Sequence, residues 1–228
     1  MRYEIRYQPA FALAILSLDP GEEVLTEGGA MVSMSGNISL QTEVRGGVFG
    51  ALKRAVLGGE SFFTSRYRAE GGPGELTVAP TLPGDITALE LSGQTMMLRS
   101  GSWLAGGPGL TVDSQWGGAR GFFGTGGLFL LKVSGHGTVL FSTYGALHAK
   151  ELAPGERYVV DTEHVVAFSQ EMGFQVRKAA SGWMSTITSG EGLVCEFTGP
   201  GLVYLQTRSE HAFLHWLIPR LPNRSNQD

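Results

Sequence analysis

The 228-residue chain holds a single cysteine, so no intramolecular disulfide can form and nothing points to an oxidising compartment. It also lacks a basic excess: 17 Lys and Arg stand against 21 Asp and Glu, a formal net charge of −4. General nucleic-acid binding needs a basic footprint to displace counterions, so nucleic acid is an unexpected partner. No membrane span is expected either, because a helix needs ~20 apolar residues to cross a bilayer. The apolar run at residues 11–18 follows Arg2 and Arg6 in signal-peptide order. Glu4 interrupts the basic residues, however, and no A-x-A cleavage pattern follows. That run reads as a buried β-strand, and the location as cytoplasmic.

Motifs for chemistry are equally scarce. A phosphate loop ends in Gly-Lys-Ser/Thr and opens a helix, and no glycine cluster here does so; GGARGFFGTGG (117–127) runs into a strand. There is no G-x-S-x-G elbow. A cupin-like metal enzyme would place two histidines one residue apart, and His136, His148, His164, His211 and His215 include no such pair. Only His211 and His215 are spaced for a shared metal, four apart on one helix face, without a third ligand nearby. His136, between two glycines, reads as an exposed turn residue. Asp161 and His164 read as a capped turn or a local pair. Cys195 alternates with Leu193 and Phe197 on the apolar face of a strand, as a small core residue. No catalytic residue, cofactor or metal is expected.

What the chain has is glycine, 34 residues, about twice the ~7% norm. Six of ten prolines precede glycine directly: Pro20-Gly21, Pro73-Gly74, Pro83-Gly84, Pro108-Gly109, Pro154-Gly155 and Pro200-Gly201. Proline pre-sets φ for a turn and glycine accepts the positive φ that follows. Short runs rich in Val, Leu, Ile and Phe lie between these pairs, which predicts an all-β sandwich or barrel. Several runs are apolar on both faces, so those strands should be covered on both sides. Two helices are expected, at 48–57 and, behind the N-cap Ser209, at 210–218; residues 219–228 read as a tail.

Three segments share a glycine opening, a leucine, a strand, a glycine turn and a second strand: GPGELTVAPTLPGDITALEL (72–91), GTGGLFLLKVSGHGTVLF (124–141) and GEGLVCEFTGPGLVYLQ (190–206). Read as hairpins, they divide one all-β domain (1–218) into pseudo-repeats at about 1–95, 96–150 and 151–218. Arg45, Lys53, Arg54, Arg66 and Arg68 gather in one stretch with Glu43, Glu60 and Glu70. They could hold an anion or an acidic partner, or form a salt-bridged rim. The second helix is apolar on nearly all sides, so Phe213, Trp216 and Leu217 should dock at a subunit junction or on a partner.

RGGVFGALKRAVLGGESFF (45–63), PGDITALEL (83–91), YVVDTEHVVAF (158–168) and SGEGLVCEFTGPGLVYLQTRS (189–209) resemble, in order, the landmarks of the altered-inheritance-of-mitochondria family. That family comprises bacterial proteins and a fungal mitochondrial relative. The resemblance implies a fold like that of the trp RNA-binding attenuation protein, a short double-stranded β-helix whose repeats form rings. A three-repeat chain would then be a homotrimer. The expected function is a non-catalytic homo-oligomeric scaffold or binding protein, with a ring-shaped binder of nucleic acid or an anionic small ligand as the alternative.

Overall fold

Valine-, leucine- and phenylalanine-rich runs broken by glycine turns give strands, and the computed structural model is accordingly all-β. It describes residues 1–43, 64–113, 130–178 and 193–222. The expected helix at 48–57 lies outside them. After β1 (Arg2–Arg6), a first unit contains β2 (Leu13–Leu18), β3 (Glu23–Glu27), β4 (Met31–Met34), β5 (Ile38–Glu43), β6 (Thr64–Ala69) and β7 (Gly74–Val78). A second contains β8 (Ile86–Ser92), β9 (Met96–Arg99), β10 (Trp103–Gly106), β11 (Leu110–Asp113) and the long β12 (Leu130–Ser142). A third contains β13 (Leu147–Leu152), β14 (Arg157–Asp161), β15 (Val165–Ser169), β16 (Gly173–Lys178), β17 (Leu193–Thr198) and β18 (Gly201–Gln206). Helix α1 (Glu210–Leu217) follows.

One pairing pattern recurs in all three units. In the first, β7 lies between β2 and β4, and β6 between β3 and β5. In the third, β18 lies between β13 and β15, and β17 between β14 and β16. In the second, β12 does both jobs: its C-terminal half lies between β8 and β10, its N-terminal half between β9 and β11.

The units also share a corner. Gly21, Gly93 and Gly155 have φ of 80°, 104° and 77°, a left-handed backbone that costs other L-residues ~1–2 kcal/mol. Each donates its N–H to the carbonyl of Ala69, Gly135 or Gly199. The next side chain then closes the corner: Glu22, Gln94 and Glu156 accept from the N–H of Asp19, Ser92 and Ala153 at 2.9, 2.6 and 2.9 Å. Leu-x-Pro-Gly-Glu spells this corner twice, at 18–22 and 152–156.

Neighbouring units are joined by strand pairing. Strand β10 of the second adds to β3 of the first, with Ala105 opposite Thr26 and Gly106 opposite Leu25. Strand β15 of the third adds to β9 of the second, with Ala167 opposite Leu98 and Phe168 opposite Met97. Both joining strands carry a bulge at the same place, between Trp103 and Ala105 and between Val165 and Ala167. They are apolar on both faces and buried on both, as such runs require. Each junction also caps a core: Leu104 and Ala105 complete the first unit's cluster, Val166 and Ala167 the second's.

Local turns do not set strand partners here. Residues 193–206 do turn a corner at Pro200-Gly201, but the two arms are no hairpin: β17 pairs with β14 and β16, β18 with β13 and β15. The runs around Pro83-Gly84 separate in the same way, β7 joining β2 and β4 while β8 joins β12. Gly135-His136-Gly137 is no turn, since β12 continues through it and His136 is an exposed strand residue. The pairing units span 13–78, 86–142 and 147–206, so a boundary after residue 95 falls between β8 and β9, and one after 150 inside β13.

Candidate functional site

Of the basic cluster, Arg45, Lys53 and Arg54 lie outside the described residues. Arg66 and Arg68 sit side by side across from Glu23 and both donate to its carboxylate, at 2.6 and 2.9 Å. The Arg66 guanidinium holds the Glu23 carboxyl below the usual range; burial opposes it, and Arg68 adds to the lowering. These two arginines form part of a cross-strand ion-pair network. A second network surrounds Glu196, which is buried and accepts from Arg157 and from Arg177 Nε at 2.8 Å.

Helix α1 begins where Ser209 Oγ accepts the Ala212 N–H at 3.0 Å, the expected N-cap. The Ser209 hydroxyl donates in turn to the Glu163 carboxylate, which also meets His211 Nδ1 at 3.1 Å. His211 is thus tied to a carboxylate on the body of the protein. The His211 and His215 rings lie 6.2 Å apart, and among the described residues no three His, Cys, Asp or Glu side chains converge on a metal site. No residue of α1 is buried: Phe213 and Trp216 are exposed and stacked on each other, and Leu217 is half-buried. Phe213 also meets Tyr144 edge-on, and a groove of about 350 Å³ runs between the helix and Tyr144, His164 and Arg208.

Asp161 caps the 3-10 turn at Thr162–His164 by accepting the Glu163 N–H at 2.9 Å, while His164 Nδ1 donates to the Gln206 carbonyl at 2.7 Å. The two serve separate backbone groups. Cys195 lies between Val160 and Val176 in the sheet and is fully buried. Burial, with the Asp161 charge second, pushes its thiol up to about 12 from an ordinary value of 9.0. A thiolate is the reactive form, so native protein at pH 8 should resist maleimide until it unfolds. Because the folded protein keeps the proton longer, the thiol's contribution to stability is present below pH ~9 and lost as pH rises toward ~12. Denaturant midpoints at pH 8 and 10.5 should therefore differ more for the native chain than for Cys195→Ala.

Two strands stand out that no motif marks. Strand β4 carries a bulge between Met31 and Ser33 on β7, which aligns Met31, Val32, Ser33 and Met34 with 103–106 and with 165–168. The counterparts Leu104 and Val166 are 0% exposed, yet Val32 is 58% exposed and the whole of β4 lies open. The shared corners likewise align β14 with β3 and β9, placing Val159 level with Leu25 and Met97. Those two are buried, and Val159 is 48% exposed. Among the described residues neither β4 nor β14 has a strand on its outer edge. The duplicated Leu-x-Pro-Gly-Glu corner was the available signal, since it aligns the units.

A family model described as Mitochondrial biogenesis AIM24 matches residues 3–208. An uncharacterized protein of Streptococcus pyogenes is 33% identical over 234 residues, covering 99% of this chain and 93% of its own. The X-ray crystal structure of a Streptococcus pyogenes protein matches with a TM-score of 0.82 and 32% identity, over 96% of this chain and 99% of that one.

Proposed function

The chain belongs to the mitochondrial biogenesis AIM24 family, and from that premise we propose that it acts as a non-catalytic, homo-oligomeric scaffold or binding protein of the cytoplasm. The observation that carries this reading is the exposure of β4, an apolar strand whose two counterparts are buried at every position. An open, uncharged strand of this kind invites pairing unless something covers it. Another subunit is the economical cover, and the ring architecture implied by the family resemblance favours three copies. The arginines named from the sequence lend no support to an anion-binding ring where they are described, because Arg66 and Arg68 already serve Glu23.

Light scattering on a sizing column tests the proposal. The native chain should elute as a multiple of its 24.3 kDa mass. Val32→Glu, at a position exposed in the single chain, should reduce that to one chain without unfolding it. Single chains of the native protein at micromolar concentration would overturn the reading.

A further inference from the structure

Each unit has four edge-capable strands, and they behave differently along the chain. Among the described residues, β5, β11 and β16 are open in all three units, as are β8 and β13, with β1 covering only β2. The remaining two kinds are closed at both internal junctions, β10 on β3 and β15 on β9. Among the described residues their only open members are β4, at the first unit, and β14, at the third. The chain is thus an arc whose two ends are the two halves of a junction it uses twice within itself.

We propose that β4 of one copy adds antiparallel to β14 of the next, in the register of the internal junctions. This rests on the homo-oligomer reading and names its contact. The register follows by transfer. Ala105 faces Thr26 and Ala167 faces Leu98, which sets Ser33 opposite Val160. Gly106 faces Leu25 and Phe168 faces Met97, which sets Met34 opposite Val159. Met34 and Val159 are 41% and 48% exposed, so the seam would cover the apolar side chains that the single chain leaves in water.

The cores make the same demand. The first unit's cluster is completed by Leu104 and Ala105, the second's by Val166 and Ala167, each pair donated by the following unit. The third unit's cluster holds no such pair. Val32 and Ser33 of a second copy occupy the equivalent positions. Strand β4 carries neither a charge nor a proline that would blunt its edge. Because β4 and β14 are different surfaces, the contact is head-to-tail, and it closes into a ring when the rotation per copy permits.

The test is thiol cross-linking of full-length protein. Met34→Cys/Val159→Cys, treated with a short bis-maleimide, should give a denaturing-gel ladder at multiples of the chain mass; Cys195 is buried and stays silent. Leu40→Cys/Val159→Cys, which moves one thiol to the exposed β5 edge, should give at least tenfold less ladder. Three results would overturn the seam: no ladder from an assembly that light scattering shows intact, an equal ladder from the β5 control, or a bridge within single chains. The first leaves the homo-oligomer reading standing, whereas single chains in light scattering remove both.

Discussion

Gly84→Ala is expected to destabilise the fold by on the order of 3–5 kcal/mol, or about 6–20 °C in Tm for a domain of this size. A Cβ at Gly84 would sit 1.6 Å from the Thr143 carbonyl oxygen, 2.8 Å from its carbon and 3.1 Å from the Gly145 nitrogen. All three are backbone atoms, so no side chain can swing aside. The site is where the connection between the first and second units crosses the connection between the second and third. Gly145 N–H donates to Pro83 at 3.0 Å, Asp85 N–H to Gly145 at 3.1 Å and Thr143 N–H to Asp85 at 3.0 Å, while Ala12 N–H reaches the Gly84 carbonyl at 2.9 Å. Separating the two connections enough to admit a methyl group breaks several of these bonds together. Gly107→Ala is the control: nothing lies within 4 Å of its Cβ position, and its thermal midpoint should stay near that of the native chain. A Gly84→Ala midpoint within 2 °C of native would contradict the crossing, given the ~2–4 °C expected per kcal/mol.

Trp103→Ala should cost about 3–5 kcal/mol in a denaturant titration. Trp103 is 0% exposed and heads the largest buried side chains among the described residues. It packs in the second unit's cluster with Leu91, Phe141 and Tyr204, and its ring approaches Gly106 so closely that a Cβ there would lie 2.6 Å from it. Truncation would leave a cavity that β-sheet on several sides cannot collapse to fill. The equivalent change in the first unit, Met31→Ala, removes a side chain already 37% exposed. It should leave the unfolding of single chains nearly unchanged and act on assembly instead. Equal costs at the two positions would mean that Met31 is covered in the single chain as Trp103 is, which would contradict the open face of β4.

The sequence carried the strands far better than their partners. Pro20-Gly21, Pro154-Gly155 and Pro200-Gly201 mark corners because φ preferences are local, and Ser209 marks the start of α1 for the same reason. Cys195 was legible as core from its alternation with Leu193 and Phe197. Pairing is not local. A run such as Leu202–Leu205 is compatible with a hairpin to Leu193–Phe197, and only the packing of both layers sends it to β13 and β15 instead. The leucines that open the glycine-rich segments at 72–91 and 190–206, Leu76 and Leu193, stand on strands of different kinds, β7 and β17. The units align through the Leu-x-Pro-Gly-Glu corner, whose glutamates bond the backbone in both copies. The open seam was illegible because exposure belongs to the end of an arc. Residues 31–34 read like any core strand, and so do their buried counterparts.

Hydrogen exchange read by mass spectrometry tests the head-to-tail assembly most directly, comparing the native chain with Val32→Glu. Amides lose protection when the strand that pairs with them departs. The expected result is faster exchange in the variant over both Met31–Met34 and Arg157–Asp161, with β11 and β16 unchanged. Faster exchange at β4 alone, with Arg157–Asp161 exchanging as in the native chain, would contradict it.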